Sequence, residues 1–100
     1  MYCKCTNLTK IDVQADFGAD PIWCHTCGYN LDIEDFELDE ALKTKCFKWI
    51  NKYGEWLDFD TDEIIEANLP LLDAHNEEGL FLTKQLQNAL PQYHFEFISS

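Results

Sequence analysis

Arginine is absent from this 100-residue chain, and lysine is scarce. Seven basic residues stand against 19 aspartates and glutamates, which gives a formal net charge of −12 at pH 7. Arginine normally supplies the bidentate contacts to phosphates and to guanine. A surface this acidic also repels nucleic acids and anionic membranes. We therefore expect no nucleic-acid partner and no membrane partner, and the charge favours a basic protein as the partner.

Serine is scarce as well, because the only serines are Ser99 and Ser100 at the tail. A serine nucleophile with a histidine base therefore has no obvious members. His75 lies near Asp73, Glu77 and Glu78 and resembles half of an acid–base pair, but a structural or surface role fits it better. We expect no catalytic residues and no enzyme activity.

Long apolar runs and linkers are missing too. No apolar stretch reaches membrane-spanning length, and no lysine-led apolar segment opens the chain, so we expect a cytoplasmic protein. With only four glycines and three prolines, no linker divides the sequence. Residues 1–100 are expected to form a single domain. The apolar fraction of 46%, with 14% aromatic residues, predicts a packed globule.

Five cysteines are present, and four of them have the spacing of a metal site. Cys3 and Cys5 form C-x-C, and Cys24 and Cys27 follow as C-x-x-C with Gly28 directly after. Two such thiol pairs on a β-hairpin can supply the four ligands of a structural zinc ion. The alternative is that these thiols are buried as small apolar groups. His25 could replace one of these cysteines as a ligand, but a side chain between two thiols is expected to point outward.

The fold class predicted from the hydrophobic pattern is α+β. Alternation over residues 11–17 predicts a strand, followed by strands at 22–24 and 29–33. These would make a small antiparallel zinc-ribbon-like unit over residues 1–35. Apolar residues at helical spacing then predict two main helices, and alternation predicts a terminal strand that packs on the helices or joins the sheet. This helical body would cover residues 36–100, with helices at 39–56 and 69–90 and the strand at 93–97.

Two further residue patterns are better explained by structure than by a reactive or metal-binding site. Cys46 lies on the apolar stripe of the first helix, where burial is a better interpretation than a reactive thiol. Asp58, Asp60 and Asp62 begin like a calcium loop, but Glu63 stands where glycine is required and Leu69 where a glutamate belongs. An acidic turn is therefore predicted.

Carboxylates cluster at residues 32–40 and 58–66, the two ends of the first predicted helix. A basic partner is predicted to use the second cluster, through Asp58, Asp60 and Asp62. Trp56, near the glycine-loosened helix end, is predicted to be exposed and to be buried by that partner. The alternative is that both clusters only keep a small domain in solution.

Three segments resemble a group of short, acidic, uncharacterised bacterial proteins. The matching motifs are PIWCxxCGYNLD at 21–32, YGEWLD at 53–58 and HNxxGxxLT at 75–83. The resemblance spans nearly the whole chain. It implies a zinc-ribbon-like N-terminus followed by a helical body, and it implies no activity.

These observations favour a non-enzymatic, acidic protein-binding module or inhibitor, stabilised by a structural zinc. Small acidic inhibitors of nucleases act through such charge complementarity, which by analogy is compatible with an immunity or anti-defence role. The alternative is a zinc-ribbon accessory protein of the transcription or nucleic-acid machinery. A small enzyme that uses the metal or Cys46 is the third and weakest hypothesis.

Overall fold

The computed structural model describes residues 8–58 and 60–99 and confirms an α+β fold. The described residues form two α-helices and a small three-stranded sheet, whose last strand is the C-terminal one. In chain order the elements are β1 (Lys10–Val13), β2 (Ile22–Cys24), α1 (Glu40–Asn51), α2 (Leu69–Ala89) and β3 (His94–Phe97).

Strand β1 lies at the centre of the sheet, antiparallel to β2 and parallel to β3. Ile11 pairs with Cys24 on one side and with Phe95 on the other. Side chains of residues that pair directly across neighbouring strands point to the same face of the sheet. Here that face is the inner one, and all three side chains are buried. The C-terminal strand thus joins the sheet, which was one of the two arrangements the sequence left open.

Two of the predicted strands have the wrong bounds. The strand predicted at 11–17 ends at Val13, because a turn follows in which Ala19 N donates to Asp16 O over 3.3 Å. The strand predicted at 29–33 is reduced to a single bridge between Trp23 and Asn30. Its end is a 3-10 turn, Ile33–Asp35, whose start is capped by Asp32.

The first helix is also shorter than the predicted 39–56. It begins after Asp39, whose carboxylate accepts from Leu42 N over 3.0 Å and satisfies one free N–H of the first turn. It ends at Asn51, and the chain then turns through Gly54 at φ +91°. This conformation is accessible to glycine at little cost, so the segment after Asn51 leaves the helix axis.

The core lies between the inner face of the sheet and the two helices. Helix α2 packs against β3 and α1. Gln87 joins α2 to the last strand, since its side chain donates to Tyr93 O over 2.7 Å and accepts from Phe95 N over 2.9 Å. Trp49 is fully buried, and its Nε1 donates to His75 O over 2.9 Å, which ties α1 to α2.

Gly79 allows the close approach of α2 to its neighbours. A Cβ built on it would come within 2.8 Å of Trp49 Cζ2 and would also meet the ring of Phe97. The interruption of an otherwise favourable helix sequence therefore marks a close packing contact.

Candidate functional site

The thiol pair Cys24 and Cys27 lies on a tight turn at the end of β2. Cys24 N donates to Tyr29 O over 2.9 Å, and Gly28 N donates to Cys24 O over 2.8 Å. Gly28 has the positive φ, +76°, that such a turn needs. Cys24 is buried within the core and Cys27 is exposed.

The other two predicted zinc ligands, Cys3 and Cys5, lie outside the described residues. The four-thiolate site therefore stays a prediction, as does the zinc-ribbon character of the N-terminus. His25, between the two described thiols, is exposed and points away from the core, as predicted. Cys46 is buried on α1, also as predicted, and burial raises the pKa of its thiol to about 12.

The acidic cluster at residues 32–40 is largely used within the chain. The carboxylate of Asp32 accepts a hydrogen bond from the backbone N–H of Glu34 at the start of the 3-10 turn. The carboxylate of Asp39 accepts one from Leu42 N at the start of α1. Glu34 and Glu40 lie 3.2 Å and 3.4 Å from Nζ of Lys43, whose side chain is nearly buried. Four of the six carboxylates thus have intramolecular partners, which leaves this end of α1 a poor candidate for capturing a cation from another protein.

The second acidic cluster lies on a loop that is fixed at both ends. Leu57 and Ile64 form an antiparallel bridge, and Asp58 N donates to Glu63 O over 2.8 Å. Asp62, with φ +58°, donates its N–H to Asp58 O over 2.7 Å. The loop therefore presents its side chains from a defined backbone.

The three aspartates predicted for partner binding have different environments. Asp60 and Asp62 are exposed. Asp58 is partly buried, and its Oδ1 accepts from Asp60 N over 2.9 Å, so this carboxylate helps to shape the turn. The role of these three residues in binding a partner stays a prediction.

Trp56 is 3% exposed, so its predicted exposure is wrong. Its ring packs against Tyr53, with centroids 5.5 Å apart, and against His75 at 4.7 Å. Its carbonyl oxygen accepts from Ile65 N over 2.8 Å. Because the chain turns at Gly54, the ring packs against His75 of α2, and the backbone of Trp56 is hydrogen-bonded to the end of the acidic loop.

Exposed aliphatic side chains lie beside the acidic loop instead. Ile64 is 52% exposed and Ile65 is 38% exposed, and at the start of α2 Leu69 and Leu71 are also exposed. We call this surface the acidic edge: Asp58, Asp60, Asp62, Glu63 and Glu66 with Ile64, Ile65, Leu69 and Leu71. The sequence signal for the aliphatic part was an Ile-Ile pair inside a run of carboxylates, which no predicted strand or helix could bury.

A cleft of about 410 Å³ adjoins the acidic edge. It lies between the segment after α1 and the first half of α2, and Leu71 belongs to both features. The other lining residues are Lys52, Glu55, Trp56, Ala74, His75 and Glu78. Lys52 Nζ lies 3.6 Å from a carboxylate oxygen of Glu78, across the cleft from one helix to the other.

His75 at this cleft is an unusual residue. It is 3% exposed, and it stacks on Trp49 with centroids 4.6 Å apart and planes 12° from parallel. Within residues 8–58 and 60–99, neither ring nitrogen has a hydrogen-bond partner. Burial, with a smaller contribution from Lys52, lowers the pKa of His75 from 6.5 to about 4. The imidazole is therefore neutral at pH 7, and no described residue forms an acid–base pair with it.

No helix in the described part of the chain is long and apolar enough to cross a membrane. A comparison with curated proteins gives no match. The sequence profile of the family described as Serratia CdiI immunity protein-like matches residues 9–100, which is nearly the whole chain. On that match the chain belongs to the Serratia CdiI immunity protein-like family.

Proposed function

We propose that this protein is a non-enzymatic immunity protein that binds a basic protein toxin through the acidic edge and blocks its action. Membership of an immunity-protein family supports the partner class, a protein toxin. The acidic edge supports the location, because exposed apolar side chains stand there among carboxylates on a fixed backbone. That combination is the observation that carries the proposal.

Charge supplies the first part of the argument. At −12 the chain attracts a basic partner from solution, and complementary charge raises the association rate more than the final affinity. Asp60, Asp62 and Glu63 are exposed, and none of them forms an ion pair among the described residues. These carboxylates are therefore available to lysines and arginines of a toxin.

Apolar contact supplies the second part. Specific interfaces place apolar side chains at the centre and polar ones at the rim. Ile64 and Leu71 are about half exposed, so burying them under a partner gains hydrophobic free energy that folding alone does not use. Bridging of Leu57 to Ile64 fixes the loop before binding, which limits the entropy lost on association.

The test is co-expression with any toxin domain that a neighbouring gene encodes. We expect the intact chain to restore growth and to form a complex that survives purification. Ile64→Ser and Leu71→Ser should each weaken binding at least about tenfold, mostly through faster dissociation. The double variant D60N/D62N should slow association and reduce its salt dependence.

Phe81→Ser is the matched control. Phe81 is as exposed as Ile64, but it lies ten residues beyond Leu71, about 15 Å further along α2. Its removal should leave affinity and growth unchanged. No complex with the neighbouring toxin would contradict the immunity function. A complex weakened by Phe81→Ser and not by Ile64→Ser would keep the function and reject the acidic edge as the binding surface.

A further inference from the structure

Three polar side chains that are far apart in the sequence meet on the outward face of the sheet. Asp12 lies on β1 directly opposite Glu96 on β3, and His25 follows the last residue of β2. On β1, Ile11 and Val13 on either side of Asp12 point into the core, so Asp12 points outward. One ligand atom from each of the three residues lies within 4.8 Å of the other two.

Backbone hydrogen bonds hold these residues in place. Asp12 and Glu96 sit in the ladder between the central strand and β3. His25 N donates to Lys10 O over 3.2 Å, and His25 Nδ1 lies 2.8 Å from Asp12 Oδ1. The three side chains therefore project from adjacent, paired segments, and this is the kind of support that a binding site requires.

The local charge favours a cation. Two carboxylates directly opposite on neighbouring strands repel each other. Lys10 precedes Asp12 on the same face, yet within the described ranges 8–58 and 60–99 no lysine nitrogen lies within 4.0 Å of either carboxylate. Among the described residues, the imidazole of His25 is the one basic group within that distance, and its Nδ1 lies next to Asp12 Oδ1.

We propose that Asp12, His25 and Glu96 bind one divalent transition-metal ion. One imidazole nitrogen and two carboxylate oxygens suit such ions and leave coordination positions open. Metal–ligand bonds of about 2.0–2.2 Å allow two ligand atoms on one ion to be at most about 4.4 Å apart. The observed limit of 4.8 Å needs only a small side-chain rotation to reach that range.

This site differs from the predicted zinc site in its ligands, although His25 lies between Cys24 and Cys27. The thiolates of a zinc site are soft ligands, whereas Mn²⁺ prefers oxygen ligands. Manganese therefore serves as a probe of the outward site that leaves the thiols aside. None of the three proposed ligands is a cysteine, so the site does not depend on Cys3 and Cys5.

The experiment is a titration of the full, isotope-labelled chain with Mn²⁺, followed by NMR. Paramagnetic broadening should centre on residues 11–13, 24–26 and 95–97 at substoichiometric metal. The acidic loop at 58–66 competes as a non-specific cation binder, since it carries more carboxylates. Broadening centred on that loop, or spread evenly over the surface, would overturn the proposal.

Matched substitutions complete the test. Glu96→Gln and Asp12→Asn each remove one ligand charge with little change in shape, and each should weaken Mn²⁺ binding at least about tenfold. Glu63→Gln, the control, neutralises an exposed carboxylate of the acidic loop and should leave the affinity unchanged. Far-UV circular dichroism verifies that each variant is folded. Equal affinities for Glu96→Gln, Asp12→Asn and the native chain would reject the site.

Discussion

The stability of the folded chain should fall between pH 7 and pH 5 because His75 is buried in its neutral form. Its pKa is about 4 in the folded chain against 6.5 when unfolded. A base with a lowered folded pKa contributes its full stability above the unfolded value and loses that contribution as pH falls toward the folded value. The affected window is therefore pH 6.5 to 4.

The magnitude follows from the size of this shift. One pKa unit corresponds to about 1.4 kcal/mol, so complete protonation of the unfolded chain alone would cost about 3 kcal/mol. Linkage places about 2 kcal/mol of that loss between pH 7 and pH 5. For a 100-residue domain this is a large share of a total stability of roughly 5–15 kcal/mol.

The assay is urea unfolding at pH 7, 6 and 5, with the native chain compared with His75→Phe. Phenylalanine keeps an aromatic ring against Trp49 and removes the two buried nitrogens that lack partners. Replacing such groups by an apolar group of similar shape is close to neutral. The variant should therefore match the native chain at pH 7 or exceed it, and should lose about 2 kcal/mol less on going to pH 5.

A second variant shows whether the effect belongs to His75 or to the removal of any histidine. His94→Gln removes a histidine that is exposed in the folded chain, and its stability should follow the native pH profile. If the native chain and His75→Phe lose the same free energy between pH 7 and pH 5, the proposed cause is wrong.

Three other measurements test the packing and the metal prediction. Gly79→Ala should destabilise the fold by about 1–3 kcal/mol in urea unfolding, because the added methyl group would overlap Trp49 and Phe97; an unchanged midpoint would show that the contact yields. Cys46, buried and with its pKa raised to about 12, should be alkylated by iodoacetamide only after unfolding; mass spectrometry of the labelled peptides decides this. Elemental analysis should find one zinc per chain, lost in Cys27→Ser, and a value well under one in the native chain would reject the four-thiolate site.

The order and type of the elements follow from local patterns in the sequence. The apolar stripe that predicted α1 is the face that carries Cys46, Trp49 and Ile50 into the core. Pro70 in the first turn and the spacing of leucines predicted α2 in the same way. Both patterns repeat with the period of the element itself, so neighbouring residues are enough to recognise them.

The sequence could not show how the candidate surfaces assemble. The sequence places Trp56 at the end of a helix, where we predicted it to be exposed. In the structure Gly54 turns the chain, and the Trp56 ring is buried against Tyr53 and His75. The exposure of a side chain depends on what packs over it, which is a property of the whole fold. For the same reason, the spacing of carboxylates did not reveal that most of the carboxylates at 32–40 have hydrogen-bond or ion-pair partners within the chain.

Composition and short-range pattern by themselves determined the charge, the thiol motif, the two helices and the α+β class, because each is set by residues close together in the chain. Only the tertiary structure placed the C-terminal strand beside β1. That pairing brings Glu96 next to Asp12, 84 residues earlier, and His25 next to both. Tertiary packing likewise left Ile64 and Leu71 exposed beside the acidic loop while it buried Trp56. The physical reason is that burial and long-range strand pairing minimise the free energy of the whole chain, and no local stretch specifies them.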